Sequence, residues 1–358
     1  MRTFRVELGR DAHPVHVGVG ILDRVGELAR DAGLRPGRAA LLADSNVAKL
    51  YAGRVTTSLS AAGFDPVLIE IPAGEASKSL EMLATLYDRM TEAALDRQSV
   101  VFALGGGVTG DLSAFAAATY LRGIQVVQVP TTVVAQVDSA LGGKSGVNHR
   151  LAKNLIGAFY QPKMILADVE SLRTLPEREF REGLGEVIKY GAIMDAQMVS
   201  DLERDLEAIL GRDTAVLEAM VERSLRHKAY VVENDEREGG LRKILNFGHT
   251  IGHAIEASAG YGKYLHGEAV AIGMVVACGI SRSLAGLADS ESNRLVDLLE
   301  RAGLPTSMAS QWRTEDFESA LSLDKKRVEK QIEFVLIDRL GHAFTRRVPI
   351  DEIFSLLP

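Results

Sequence analysis

The chain has 358 residues, enough for two domains with substantial cores, and its 46% hydrophobic and 25% charged residues are typical of a globular protein. The formal net charge of −7 argues against nucleic acid or an anionic membrane as the main partner. The single cysteine, Cys278, excludes an internal disulfide. The apolar run that contains Cys278 is too short to cross a bilayer, and the first residues lack the apolar core of a signal peptide. We therefore expect a cytoplasmic protein.

Residues 1–175 alternate predicted strands with predicted helices. Short extended runs open the chain at 6–9 and 15–20, and apolar strands are predicted at 38–43, 66–72, 99–104 and 123–130. Helical patterns lie between them at 46–63, 79–95 and 111–121, and Ser45 can cap the first of these. Continuous apolar strands separated by helices predict an α/β domain whose mostly parallel sheet carries helices on both faces.

Residues 176–358 have a different pattern. From Pro176 to about Leu304, apolar residues recur at the three- and four-residue spacing of amphipathic helices. A small hairpin is predicted at 332–348, after this helical region. We therefore predict a mostly α-helical C-terminal domain, with the boundary near residues 170–180.

A glycine-rich turn follows the strand predicted at 99–104. Gly105, Gly107 and Gly110 satisfy G-x-G-x-x-G directly before a predicted helix. Because glycine has no Cβ and a helix N-terminus offers free N–H groups, this turn predicts a nucleotide phosphate site, with a purely structural turn as the alternative. No acidic residue ends the next strand, as a Rossmann fingerprint requires, so Asp44 is the better ribose ligand.

Residues 130–154 are unusually polar for a segment at the edge of a sheet. Thr131 stands at a strand end, and Asp138 lies in a predicted helix. Lys144 follows two glycines, and Lys153 closes the segment. A single lysine is most often a solvated surface charge, but two lysines near a phosphate-type turn indicate a multiply anionic ligand.

Three of the eight histidines lie close together in the sequence. Helical spacing places His249 and His253 on one face, one turn apart, and His266 follows after a short glycine-containing break. Such imidazoles can form a divalent metal site if a carboxylate joins them, and Glu186 can supply it beside Lys189. The alternatives are a solvated or hydrogen-bonded histidine pair and a surface Glu186–Lys189 salt bridge.

From about residue 40 to 335 the chain resembles the 3-dehydroquinate synthase family of the sugar-phosphate cyclases. The matching motifs are GGGVTGD, VPTTVVAQVDSALGGKSGVNH, AKNLIGAFYQP, GEVIKYG, LNFGHTIGHAIE, LHGEAV and LDKK. Long motifs in this order, spread over both predicted domains, are highly specific. The family's usual glycine before the lysine of GKNLIG is Ala152 here, a small change.

The resemblance implies a bound NAD⁺ on the N-terminal domain (1–175) and Zn²⁺ or Co²⁺ on the helical domain (176–358). The implied metal ligands are Glu186, His249 and His266. The implied NAD⁺ contacts are Asp44, Asn46, Glu75, Lys78, Gly106, Gly107, Val108, Asp111, Thr131, Thr132, Lys144, Lys153 and Thr174. The implied catalytic and substrate contacts are Asp138, Lys144, Lys153, Asn154, Lys189, Lys228, Arg242, Asn246, His253 and one of Lys325 and Lys326, with Arg122 reaching the neighbouring subunit of a homodimer.

The reaction implied by the resemblance converts a phosphorylated sugar acid, 3-deoxy-D-arabino-heptulosonate 7-phosphate, to 3-dehydroquinate and phosphate. This carbon–oxygen lyase reaction of the shikimate pathway proceeds by transient oxidation, phosphate elimination, re-reduction and aldol closure. One alternative is another sugar-phosphate cyclase, although Lys144, Asn154 and His253 favour the dehydroquinate branch. A metal-dependent polyol dehydrogenase would release NADH and would not need so many cations, and a non-catalytic relative would not need every ligand position filled.

Overall fold

The structure is a computed structural model that describes residues 1–150, 152–259, 263–308, 327–328 and 331–356. The chain divides into two compact units, the first comprising Met1–Leu175 and Leu217–Arg237 and the second Pro176–Val216 and Glu238–Pro358. The change at Leu175 falls within the predicted boundary region. The sequence places Leu217–Arg237 in the helical domain, whereas the structure groups this segment with the first unit.

A seven-stranded sheet lies at the centre of the first unit. The strands of this unit are β1 (Arg2–Val6), β2 (His13–Gly18), β3 (Arg38–Asp44), β4 (Asp65–Ile71), β5 (Val100–Gly105), β6 (Gln125–Pro130), β7 (Lys144–His149), β8 (Ala152–Phe159) and β9 (Met164–Asp168). The order in the large sheet is β1-β2-β9-β6-β5-β3-β4. Only β1 and β2 pair antiparallel in it, so the predicted parallel-rich sheet is confirmed.

Helices cover both faces of this sheet. The α-helices of the described residues, in both units, are α1 (Val25–Asp31), α2 (Ser45–Val47), α3 (Gly53–Ala61), α4 (Leu80–Glu92), α5 (Gly107–Thr119), α6 (Glu177–Met194), α7 (Ala196–Leu210), α8 (Thr214–Asn234), α9 (His249–Ala259), α10 (His266–Ala285), α11 (Asp289–Arg301) and α12 (Ile350–Ser355). Alternate side chains of β3 enter different cores, because successive residues of a strand point to opposite faces. Leu41 packs with residues of α1 and α3, and Leu42 packs with residues of α4 and α5.

The hairpin of β7 and β8 and the strand β9 are absent from the sequence-based prediction. β7 and β8 pair antiparallel, and β7 packs against α5. Both strands contain glycine, lysine and asparagine, which have low strand propensity, so their pattern resembles a polar loop. The two backbones approach closely at their glycines, since a Cβ on Gly157 would lie 2.0 Å from the Ser145 carbonyl oxygen.

The residue that caps the helical segment after β3 differs from the prediction. Asp44, and not Ser45, accepts hydrogen bonds at Oδ1 from the backbone N–H groups of Asn46 (3.0 Å) and Val47 (3.1 Å). The Ser45 hydroxyl instead accepts from the Ala73 N–H at 3.3 Å. Aspartate and serine are both good helix caps, so residue type alone does not decide between them.

The second unit is built mostly from helices. It also holds a small antiparallel sheet of β10 (Arg327–Val328), β11 (Gln331–Arg339) and β12 (His342–Pro349), and β11 and β12 form the predicted hairpin. The apolar run around Cys278 continues into the 20-residue α10, which by length and composition is a candidate membrane span. However, 61% of its apolar segment is buried within the protein, as in the core helix of a globular domain.

Candidate active site

Three side chains of the second unit converge at one point. Glu186 projects from the middle of α6, while His249 and His266 are the first residues of α9 and α10. The Glu186 Oε1 atom lies 3.2 Å from His249 Nε2 and 3.4 Å from His266 Nε2. The Glu186 side chain is fully buried, and one ligand atom from each residue lies within 4.8 Å of the others.

Glycines at the helix contacts bring these three elements together. A Cβ on Gly267 would lie 1.9 Å from the Glu182 carbonyl oxygen, so α10 touches the backbone of α6 one residue after His266. A Cβ on Gly273 would lie 2.0 Å from the Gly248 carbonyl oxygen, directly before His249. Any larger residue at either contact would push the helices apart, and the three ligand atoms with them.

The charges around Glu186 favour its ionised form. Burial alone would raise the pKa of Glu186, but the Lys189 ammonium and the imidazoles lower this pKa well below its usual value. Burial lowers the pKa of His249. Burial also opposes protonation of His266, yet Glu186 and Glu256 together raise the pKa of His266 to about 10. Binding of a metal ion by these residues would therefore displace a proton from His266.

The donor set fits a divalent transition metal. Both Glu186 carboxylate oxygens are buried without a well-formed hydrogen bond from any described residue, although Lys189 and the two histidines lie against them. The His249 Nδ1 atom lies 3.2 Å from the Phe247 carbonyl oxygen, so an Nδ1–H donor would leave Nε2 free to bind a metal. Two imidazoles and one carboxylate are a ligand set of catalytic zinc sites, in which further coordination positions stay open.

The third histidine has a different position. The His253 ring centroid lies 5.6 Å from that of His249 and 5.9 Å from that of His266. His253 belongs to a second group of possible metal ligands, with Glu256 and His266, and not to the Glu186 group. The four-residue spacing therefore does not by itself identify the ligand pair. Identification of the ligand pair also requires the position of His266, which depends on how α10 packs against α6 and α9.

Lys189 lies next to the same carboxylate. Its side chain is 1% exposed and its ammonium contacts Glu186 Oε2, so the alternative of a surface salt bridge does not apply. Arg242 is 2% exposed in the short helix Leu241–Asn246, which two residues separate from α9. Asn246 ends that helix and donates from Nδ2 to Glu238 Oε1 at 2.7 Å. The predicted contacts Lys325 and Lys326 lie outside the described residues.

In the first unit the glycine-rich turn joins β5 to α5 at the carboxyl edge of the sheet. Gly106 caps α5, and a Cβ on it would lie 3.0 Å from the Thr132 methyl group. The Thr131 N–H donates to the Gly105 carbonyl at 3.0 Å. Asp44 ends the adjacent β3, and its Oδ2 accepts from the Thr109 hydroxyl at 3.4 Å. The turn, both threonines and the predicted ribose ligand therefore lie side by side.

Other residues predicted to contact NAD⁺ surround this edge. Lys78 is buried, and its Nζ lies 2.5 Å from Asp111 Oδ2, one turn into α5. Burial raises the pKa of Asp111, although Lys78 opposes this shift. The Thr174 Oγ1 atom lies 2.6 Å from the hydroxyl of Tyr51, in the helical segment Ala48–Ala52 that follows β3. Val108 is in the first turn of α5.

The structure also locates the predicted anion-binding residues of the first unit. The hairpin register pairs Lys144 with Phe159, and Lys153 follows Ala152, which pairs with His149. Lys228 of α8 lies beside Asp138, with Nζ 2.5 Å from Oδ1 and 2.8 Å from the backbone oxygen. Asn154 has a positive φ of 54°.

Asn148 is a residue that sequence reasoning missed. Its Nδ2 donates to Glu75 Oε1 at 2.7 Å, and its Oδ1 accepts from the Asn154 N–H at 2.9 Å. This one side chain links a predicted NAD⁺ contact to a predicted substrate contact. Asn148 lies near the end of the motif VPTTVVAQVDSALGGKSGVNH, but nothing in the motif distinguishes it from its polar neighbours.

The chain is similar to known proteins over nearly its whole length. The family models described as 3-dehydroquinate synthase N-terminal and C-terminal match residues 68–182 and 183–327. The 3-dehydroquinate synthase of Desulforamulus reducens is 49% identical over 341 residues, covering 95% of each chain.

Two solved structures share the fold over nearly the whole chain. A 2-deoxy-scyllo-inosose synthase, complexed with carbaglucose-6-phosphate, NAD⁺ and Co²⁺, has a TM-score of 0.90 at 26% identity and covers 99% of this chain and 98% of its own. The 2-epi-5-epi-valiolone synthase ValA of Streptomyces hygroscopicus, with NAD⁺ and Zn²⁺ bound, has a TM-score of 0.87 at 27% identity, over 96% and 95% of the two chains. The fold is thus that of the sugar-phosphate cyclases. Within this class, the chain belongs to the 3-dehydroquinate synthase family.

Proposed function

We propose that this chain catalyses the 3-dehydroquinate synthase reaction, converting 3-deoxy-D-arabino-heptulosonate 7-phosphate to 3-dehydroquinate and phosphate. The observation that carries this proposal is the 49% identity, over 95% of the chain, to a relative of that name. The convergence of Glu186, His249 and His266 supports it, because a metal-dependent reaction requires such a ligand set.

NAD⁺ binds the first unit at the carboxyl edge of β3, β5 and β6. The α5 N-terminus at Gly107 offers free N–H groups to the pyrophosphate, and Asp44 offers an oxygen to a ribose hydroxyl. Lys78 adds a positive charge that Asp111 holds in place. When bound, NAD⁺ supplies a reversible hydride acceptor, so it is not consumed over a full turnover.

A divalent ion, Zn²⁺ or Co²⁺, binds the second unit through Glu186, His249 and His266. When bound, such an ion polarises substrate oxygens and lowers the pKa of hydroxyl groups. The buried Lys189 helps to keep the Glu186 carboxylate ionised before the metal arrives. His253 orients the substrate and relays protons beside this ligand group.

Polar side chains whose direction is already determined bind the anionic groups of the substrate. Lys228 is oriented by Asp138 in the first unit, and the buried Arg242 and the Glu238-bound Asn246 are oriented in the second. A side chain whose direction is already determined loses little entropy when it binds a phosphate or carboxylate. The protein's main contribution is therefore positioning of a reactive sugar acid.

The most informative experiment measures phosphate release and NADH formation together. Purified protein reconstituted with Zn²⁺ and a small amount of NAD⁺ is expected to release one phosphate per substrate over many turnovers, with no net NADH. This follows because the hydride returns to the substrate in every cycle. The organic product is identified as 3-dehydroquinate by chromatography against a standard.

Two results would contradict the proposal. Stoichiometric NADH would favour a polyol dehydrogenase, and release of phosphate with a different carbocycle would favour another sugar-phosphate cyclase. Omission of NAD⁺ serves as the control, since contaminating phosphatases release phosphate without it.

A homodimer and a cytoplasmic location are further parts of the proposal. β8 pairs only with β7 among the described strands, and Leu155 and Phe159 on it are 39% and 47% exposed. An unpaired strand edge with exposed apolar side chains favours association with a second copy. Fractionation of producing cells tests the location, and recovery with membranes would contradict it.

The turn that carries Arg122 lies beside the end of this strand. The Tyr160 hydroxyl donates to the Ile124 carbonyl at 2.8 Å, next to the turn. Leu121 and Arg122 both have positive φ, 51° and 69°, and their side chains are exposed. An exposed arginine presented in this unfavourable conformation supports the proposal that Arg122 reaches the phosphate site of a partner subunit.

Mixing two inactive variants tests this arrangement. A subunit with Arg122→Ala keeps its own metal ligands but offers no arginine to its partner. A subunit with Glu186→Gln lacks one metal ligand but still offers Arg122 to its partner. After subunit exchange, the mixture is expected to recover activity at about a quarter of the sites, because half of the randomly formed dimers carry one complete site. Absence of recovery after proven exchange would show that Arg122 acts within its own subunit.

A further inference from the structure

Glu256 lies beside the proposed metal ligands without being one of them. It follows His249 by seven residues on α9, two turns along the same face. Its side chain is only 7% exposed, and its Oε2 lies 3.4 Å from His266 Nδ1, at the long end of the hydrogen-bond range. Burial of an ionised carboxylate is unfavourable unless the carboxylate is paired. The contact of Glu256 with His266 is therefore expected to have a structural or functional role.

The two ring nitrogens of His266 face different carboxylates. Nε2 lies 3.4 Å from Glu186 Oε1, whereas Nδ1 faces Glu256. When Nδ1–H donates to Glu256, the lone pair of Nε2 is directed to the side of Glu186. His249 has the matching arrangement, with its Nδ1 facing the Phe247 carbonyl. Each proposed imidazole ligand thus has an oxygen acceptor behind it.

Other contacts position the backbone of His266 but not its ring. Glu182 Oε2 accepts from the Gly267 N–H at 2.7 Å, and Glu268 Oε2 accepts from the Leu265 N–H at 2.8 Å. These bonds hold the first turn of α10. The orientation of the imidazole about its side-chain torsions depends on a partner of the ring itself.

We propose that Glu256 is a positioning residue, which orients the His266 ring and selects the tautomer that presents Nε2 to a divalent ion. This inference rests on the proposed metal site. Carboxylates behind ligating histidines raise the basicity of the ligand as well as orienting it. The sequence contains the signal, a glutamate seven residues after His249, but only the tertiary contact relates it to His266.

Zn²⁺ binding to the metal-free protein tests the role of Glu256 directly. Affinity and stoichiometry are measured by competition with a chromophoric chelator for the wild type, Glu256→Ala and Glu256→Gln. Glu256→Ala is expected to weaken Zn²⁺ binding about 10–100-fold, because the ring loses its acceptor. Glu256→Gln keeps an acceptor oxygen and is expected to stay within about tenfold of the wild type. The visible absorption of bound Co²⁺ reports whether the ligand geometry is retained.

Glu203→Gln is the matched control. It removes the same charge from a carboxylate of the second unit that pairs with Arg294, and it should leave Zn²⁺ affinity unchanged. Thermal unfolding of the metal-free variants shows that each is folded.

Three outcomes overturn the inference. Equal Zn²⁺ affinity of Glu256→Ala and the wild type would exclude a positioning role while leaving the proposed metal site intact. A second Zn²⁺ per chain, lost in Glu256→Ala, would make Glu256 a ligand of another ion together with His253. If the wild type binds no Zn²⁺, the proposed metal site fails and this inference fails with it.

Discussion

Replacement of Glu186 by glutamine is expected to weaken Zn²⁺ binding by at least about 100-fold and to abolish turnover at ordinary metal concentrations. The substitution removes the one carboxylate of the ligand group. It also removes the negative charge that the Lys189 ammonium, 1% exposed, contacts. Breaking a buried ion pair from one side costs about 3–5 kcal/mol, so the free energy of unfolding should fall as well. Metal content after dialysis, steady-state kinetics and chemical denaturation measure the three effects.

A double variant separates loss of the ligand from loss of stability. Glu186→Gln combined with Lys189→Met removes both charges of the buried ion pair, so the stability of this variant is expected to return towards that of the wild type while Zn²⁺ binding stays weak. Wild-type metal content and activity in Glu186→Gln alone would exclude Glu186 from the site. Recovered Zn²⁺ binding in the double variant would show that instability, and not ligand loss, caused the effect.

Replacement of Gly273 by alanine is expected to destabilise the second unit by about 3 kcal/mol or more and to weaken Zn²⁺ binding. The added Cβ would meet the Gly248 carbonyl oxygen at 2.0 Å and the Gly252 nitrogen at 2.9 Å. Backbone atoms cannot move aside as a flexible side chain can, so α9 and α10 must separate. His249 and His266 begin these two helices, and the distance between them should therefore increase. Denaturant unfolding and Zn²⁺ titration measure both effects.

Gly279→Ala, on the same helix, provides the control. A Cβ at Gly279 meets nothing within 4 Å. Alanine is favoured over glycine in a helix interior by about 1 kcal/mol, so this variant should be slightly more stable than the wild type, with unchanged Zn²⁺ affinity. Equal stability of the two alanine variants would show that the helix contact at Gly273 is looser than the structure indicates.

Much of the fold follows from local pattern. The apolar strands that become β3 to β6 and the helical periodicity after Pro176 were predicted correctly, because burial imposes hydrophobic spacing directly on the sequence. The hairpin of β7 and β8 was not predicted, since its stability comes from contact with α5 and from close glycine packing. The grouping of Leu217–Arg237 with the first unit depends on packing that no local pattern records.

Some features of the candidate site also follow from the sequence, and others only from the tertiary structure. The sequence by itself determined the family, through long ordered motifs, and supplied the residue types for a metal group and a glycine-rich turn. Only the tertiary structure decided that Glu186 lies against two histidines from different helices, that Lys228 lies next to Asp138, and that Glu256 lies behind His266. The physical reason is that residue spacing specifies directions along one element, whereas a ligand group depends on how closely separate elements pack.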